Sequence, residues 1–205
     1  MLLASIFSIF YQNLLETTWL EFLAVIMGIL SVFFARKENI WVYPTGIINV
    51  LIYVYLCFAS GLYADMGINA FYFVMSVYGW YRWTRKTQSR DHLPISVLTA
   101  KEWIFNLLAM ILFYLILRYI LIHFTPSTVP DFDSITTAIF IIGMWLMAIK
   151  KVENWIFWIV GDALVIPLFA YKGLAFTGVQ YVVFLVLAIM GLIEWKKRFR
   201  LEEKV

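Results

Sequence analysis

Charge is what this sequence has least of. Of its 205 residues, only 14% are Asp, Glu, Lys or Arg, while 63% are hydrophobic and mean hydropathy is +0.86. A soluble domain carries about 25% charge. A chain this poor in charge cannot cover a water-facing surface, which excludes a soluble globular protein and points to several membrane spans. The single cysteine, Cys57, excludes an internal disulfide. Two histidines, His92 and His123, are too few and too separated for a metal centre, so neither metal nor cofactor is expected. Gly-x-Ser-x-Gly, His-Glu-x-x-His and any intramembrane nucleophile–base pair are missing, so the chain reads as no enzyme and no catalytic residue is assigned. A retinal receptor would need a lysine in the last span, and Leu185 to Ile189 offers none. The N-terminal MLLASIFSIFYQNLL has neither a basic n-region nor a cleavage site, which argues against a cleaved signal peptide.

What the chain does have is a series of apolar runs. Seven helices are expected, over Trp19–Ala35, Ile40–Ser60, Met66–Trp83, Trp103–Phe124, Ser134–Ile149, Trp155–Tyr171 and Leu174–Trp195. At 1.5 Å per residue, about 20 residues cross a hydrocarbon core of about 30 Å. Residues 2–15 suit a helix lying on the membrane surface, or an eighth, tilted span. The basic residues sort by side. Fourteen of the 16 fall in the loops after helices 1, 3 and 5 and in the tail; only Arg118 and Lys172 fall opposite. The positive-inside bias then puts the N-terminus outside and the C-terminus in the cytoplasm, in agreement with an odd number of spans. A basic surface of this origin sets topology, and no nucleic-acid partner is expected.

A weak internal duplication is visible. GLYADMGINAFYFVMSVYGWYRW (61–83) aligns with GLAFTGVQYVVFLVLAIMGLIEW (173–195), pairing Gly61 with Gly173, Gly79 with Gly191 and Trp83 with Trp195. Upstream, KENIW resembles VENW and Gly46 pairs with Gly161, at an offset three residues longer, so three residues are read as lost between the two stretches. Four spans separate the copies, which makes the repeat parallel, about an axis along the membrane normal. Parallel repeats are a transporter architecture, with the substrate held between the halves near mid-depth. The expected organisation is an interfacial segment over 1–18, a first three-helix bundle over 19–84, a loop and linking helix 4 over 85–133, a second three-helix bundle over 134–197 and a basic cytoplasmic tail over 198–205.

Polar groups inside spans usually face the bundle interior or a water-filled cavity, and 100° per residue fixes which share a face. Thr45, Asn49 and Tyr53 recur at i, i+4, i+8 on helix 2. Asn69, Phe73, Ser76 and Trp80 lie near one line of helix 3, and Gln180 and Tyr181 occupy the matching region of helix 7. On helix 6, Trp155, Trp158 and Asp162 form one stripe within NWIFWIVGDALVIP. The candidate substrate-binding set is therefore Trp155, Trp158, Asp162, Asn49, Asn69, Tyr53, Phe73, Trp80, Gln180 and Tyr181. Gly46, Gly161 and Pro167 are candidate hinges, because Pro167 removes a backbone donor in mid-helix. Plainer readings stand beside these. Trp83 and Trp195 suit interfacial belts. Asn49, Asn69 and Gln180 could simply hydrogen-bond between helices. Asp162 could be a structural acid or part of a proton-coupled cycle.

ENIWVYPTGIINVLIYVYL, GLYADMGINAFYFVMSVYGWYRW and ENWIFWIVGDALVIPLFAYKGL resemble the Pnu family of bacterial vitamin transporters, over about residues 19–197. The resemblance implies an all-α membrane protein of the bacterial inner membrane, with seven transmembrane helices in a 3+1+3 arrangement like that of the SWEET sugar transporters. It also implies a homotrimer in at least some members. The implied activity is facilitated diffusion of an unphosphorylated vitamin, drawn inward by a cytoplasmic vitamin kinase. It implies a site of aromatics and amides, matched here by Trp155, Trp158, Asn49, Asn69 and Gln180. The prolines that bend the first helix of each SWEET bundle have no counterpart in helices 1 and 5. Nicotinamide riboside is the first expectation for the cargo and thiamine the alternative. Both carry a cationic ring that would favour tryptophan faces and a nearby carboxylate.

Overall fold

Two of the helices start with the same device. Thr18 caps the first: its backbone N–H donates to Glu21 Oε2 (2.8 Å) while Glu21 N–H donates to Thr18 Oγ1 (3.2 Å). Thr99 and Glu102 repeat this capping box before the fourth, at 2.7 and 3.3 Å. The computed structural model describes residues 18–85, 93–171 and 175–202. The surface helix read over 2–15, His92, and the basic residues Lys86, Arg90, Lys172 and Lys204 lie outside them.

Seven helices are present among the described residues: α1 (Trp19–Arg36), α2 (Val42–Ala59), α3 (Tyr63–Thr84), α4 (Ala100–Phe124), α5 (Pro130–Ala148), α6 (Asn154–Tyr171) and α7 (Ala175–Glu202). Each expected helix is found, with shifted ends. α5 starts a turn before Ser134, because Pro130 fits the first turn and Asp131 and Asp133 face the positive end of the helix dipole. α7 runs on past Trp195, carrying its basic residues out on a helix. Five helices (α1, α2, α4, α5 and α7) are long and apolar enough to cross a membrane, and α6 is a shorter apolar helix. In α3, Asp65, Arg82 and the tyrosines dilute the hydropathy. The chain is a multi-pass membrane protein.

Packing closes α1, α2, α3, α5, α6 and α7 into a ring, in which α1 touches α7 and α3 touches α5; α4 stands outside against α5. Helix α5 is accordingly the most buried among the described residues, whereas Ile104, Phe105, Leu108 and Leu112 of α4 are exposed. Asn106, the buried residue of α4, donates its amide to Glu102 O of its own helix (2.7 Å).

The turn after α1 and the turn after α5 are copies. Glu38 N–H donates to Ala35 O (2.9 Å) and Lys150 N–H to Met147 O (3.0 Å); Asn39 N–H donates to Phe34 O and Lys151 N–H to Leu146 O, both at 2.9 Å. Glu38 and Lys150 both adopt the left-handed region, at φ 57° and 55°. Trp83 Nε1 donates to Met147 O (3.3 Å) across the halves, and Trp195 Nε1 returns the bond to Ala35 O (3.0 Å). Tyr43 packs edge-on to Trp83, as Trp155 does to Trp195, each at an interplanar angle of 86°. Every pair is separated by 112 residues, the spacing of Glu38 and Lys150. The contacts are reciprocal, as in an isologous dimer. The carboxyl ends of α1, α3, α5 and α7 meet at one end, so the halves run the same way.

This geometry corrects one detail. The turns keep the 112-residue register, so no three residues are lost, and Gly46 matches Trp158 rather than Gly161. The VENW likeness misled because it sits three residues late of the true copy.

Candidate functional site

The register shows how the interior is filled. A Cβ on Gly28 of α1 would lie 3.0 Å from Asn49 Nδ2 of α2, so Asn49 lies over a glycine. In the second half the roles invert, and the Phe140 ring of α5 lies over Gly161 of α6. One turn further toward the basic end, Ser31 faces Gly46, while Gly143 faces Trp158, whose Cε2 would be 3.4 Å from an added Cβ. Equivalent places thus hold Gly28, Ser31, Gly46 and Asn49 in one half, and Phe140, Gly143, Trp158 and Gly161 in the other. The first half is small and polar there; the second is aromatic.

The second half builds a continuous aromatic array. Trp158 stacks on Phe140 at 5.5 Å, Phe140 meets Tyr181 at 6.2 Å, Tyr181 stacks on Phe169 at 5.1 Å, and Phe184 closes edge-on to Tyr181 at 5.6 Å. Phe184 also reaches Gly28, with Cζ 3.5 Å from the position of its missing Cβ, which carries the array to the first half. Asp162 and Tyr53 lie close enough to act electrostatically on Tyr181, and Tyr181 on Tyr72. Asp162 is 2% exposed, and among the described residues no hydrogen bond or ion pair reaches its carboxylate. Such a carboxyl rests either protonated or charged beside a cation. Asn49 donates to Ala24 O (2.7 Å), which fixes its amide and turns its carbonyl oxygen into an available acceptor.

The structure therefore brings together Trp158, Asp162, Tyr53, Tyr181 and Asn49. Trp155 lies elsewhere, in the packing layer at the basic end; it is 1% exposed, set over Gly191 and edge-on to Trp195. Among the described residues its indole nitrogen has no partner, and the Tyr43 hydroxyl at the equivalent position has none. Asn69 donates to Asp65 O on its own helix (2.9 Å), and Trp80 is 40% exposed. Phe73 and Gln180 are half-buried, and no ring contact or hydrogen bond among the described residues ties them to the array. Gly46 and Gly161 are close-approach positions, and Pro167 lies inside α6, five residues beyond Asp162. Sequence reasoning missed Phe140, Phe169, Phe184 and Tyr72. The register would have exposed Phe140, as the partner of Gly28. An open cleft of about 530 Å³ lies away from this array, at the basic end, between Arg36 and the last turns of α7.

Comparison with known proteins gives consistent results. The sequence profile of a family described as nicotinamide mononucleotide transporter matches residues 18–197. A nicotinamide riboside transporter PnuC of Escherichia coli is 29% identical over 205 residues, covering 88% of this chain and 86% of its own. The riboflavin/roseoflavin transporter RibM of Streptomyces davaonensis is 25% identical, covering 97% and 92%. A crystal structure of the vitamin B3 transporter PnuC superimposes with TM-score 0.72 at 26% identity, over 95% of this chain and 90% of that one.

Proposed function

We propose, for a chain that belongs to the nicotinamide mononucleotide transporter family, that it takes up nicotinamide riboside across the bacterial inner membrane. The family is one of transporters and not enzymes. The observation that carries the proposal is Asp162, buried beside the Trp158–Phe140–Tyr181 array with no partner among the described residues. A cargo with a flat cationic ring answers both features. Its ring lies on the aromatic array, a contact of about 0.5–2 kcal/mol when water is excluded. Its charge partners the carboxylate. Its hydroxyls and carboxamide meet the Asn49 carbonyl oxygen and the Tyr53 and Tyr181 hydroxyls.

Transport is facilitated diffusion. The six-helix ring works as two SWEET-like bundles of three helices, with α4 as linker, which rock about the cargo to open it to either side, and α3 and α6 complete seven spans. Gly46, Gly161 and Pro167 let α2 and α6 flex. The basic end faces the cytoplasm, with the N-terminus outside, and a cytoplasmic kinase keeps the inward gradient by phosphorylating the vitamin. The protomers assemble as a trimer.

Thiamine is the second reading, supported by the same cationic-ring chemistry. The RibM relative is named for riboflavin, a neutral flat ring. Titration of the purified protein with nicotinamide riboside, thiamine and riboflavin separates the three. Binding of nicotinamide riboside alone supports the proposal; preferential binding of either other vitamin overturns it.

A further inference from the structure

We propose that Glu38 and Lys150 form the latch of the basic-end gate, and that cargo leaves on that side only after this pair parts. The two residues are equivalents of one another in the two halves, 112 positions apart, and they meet each other where the halves join. Both sit in the left-handed region, φ 57° and 55°, at the turn that ends the first helix of each half. That shared conformation aims the two side chains at the same place from opposite sides. Lys150 Nζ lies 2.6 Å from Glu38 Oε1, with only 4% of the lysine side chain exposed. The ammonium also lies over the Trp83 ring, 4.5 Å from its centroid. The other oxygen of Glu38 takes Arg198 Nη1 at 3.2 Å; Arg198 holds Glu194 at 3.2 Å, and Glu194 holds Arg36 at 3.3 Å. Beneath the pair, Trp83 and Trp195 close against each other at 5.9 Å, each hydrogen-bonded to the opposite half.

This layer seals the seam between α1–α7 and α3–α5 on the basic side of the aromatic array. A buried ion pair is a poor choice for stability alone, since packed apolar residues of the same volume do as well or better. Its advantage is that the two sides, once separated, are each hydrated by water entering the gap. That suits a closure that must open repeatedly. The inference rests on the transport reading above, but not on which vitamin is carried.

The test needs no cargo. A single cysteine is placed at Ser31, between the array and the latch, in a Cys57→Ala background, and vesicles of either orientation receive a membrane-impermeant thiol reagent. Glu38→Gln and Lys150→Gln should each raise labelling from the basic side about tenfold, a shift in the two-state population toward that opening, and should not raise it from the other side. The double variant should raise labelling by less than the product of the two single effects, because both remove the pair they share. Unchanged labelling from the basic side, an equal rise from both sides, or additive effects would overturn the latch. Should Lys150→Gln not fold, Glu38→Gln alone decides. If neither the parent nor any variant labels from either side, the transport reading fails and the latch with it, whereas a parent that labels and variants that match it overturn the latch alone.

Discussion

Replacing Gly191 with alanine tests the two-fold construction most sharply. The added methyl would lie 2.6 Å from Trp155 Cε2 and 2.7 Å from Cδ2 and Cη2. Ordinary contact begins at 3.4 Å, so the indole would have to retreat by about 0.8 Å. It has nowhere to go: Trp155 is 1% exposed and Trp195 stands edge-on at 5.6 Å. Overpacking of this kind costs about 1–3 kcal/mol. For a chain of this length that is a fall of roughly 2–12 °C in melting temperature. Gly79→Ala should cost a similar amount, because the Tyr43 ring occupies the matching place. Gly67→Ala is the control. Nothing lies within 4 Å of its added methyl, and removing a glycine from a helix gains up to about 1 kcal/mol. Thermal unfolding of the detergent-purified variants, followed by tryptophan fluorescence, gives the comparison. Gly79 and Gly191 variants that melt with the parent would refute the close packing of the equivalent rings.

Other changes separate packing from binding. Trp195→Phe and Trp83→Phe should each lose about 1 kcal/mol of stability with the bond to the opposite half, seen as matched shifts in the same melting assay. Trp158→Ala should weaken binding of a cationic cargo about 2- to 30-fold, the cation–π range converted to an affinity, measured by titration calorimetry. Trp155→Ala, in contrast, empties a site in the packing layer and should cost about 3–5 kcal/mol of stability; a normal melt with lost affinity would instead put Trp155 in the binding site. Asp162→Asn should lower affinity for nicotinamide riboside while leaving the melting temperature near that of the parent, and equal affinity in both proteins would make the acid idle.

Much of this was legible in the sequence, and the exceptions have physical causes. The helices were readable because lipid demands long apolar runs, and their ends moved most at two places: the start of α5, where Pro130, Asp131 and Asp133 suit the first turn, and the end of α7, which runs on through its basic turns. Trp158 and Asp162 were readable because four residues return to the same helix face. Trp155 shares that stripe, but a stripe does not say how deep along the helix a side chain sits, and this one belongs to the layer beside Trp195. Phe140, Phe169 and Phe184 were hidden among 18 phenylalanines. Which of them faces inward depends on packing between helices, here on a glycine opposite each close approach. The pairing of Glu38 with Lys150 was hidden too, since it needs the 112-residue register that the VENW likeness obscured.

The most direct test of the account is uptake of labelled nicotinamide riboside into proteoliposomes holding this protein alone, with no ATP and no ion gradient. The account predicts that the vitamin equilibrates across the membrane, that an ionophore leaves the rate unchanged, and that a kinase with ATP enclosed inside drives accumulation. No entry of nicotinamide riboside, or entry only when an ion gradient is imposed, would contradict it.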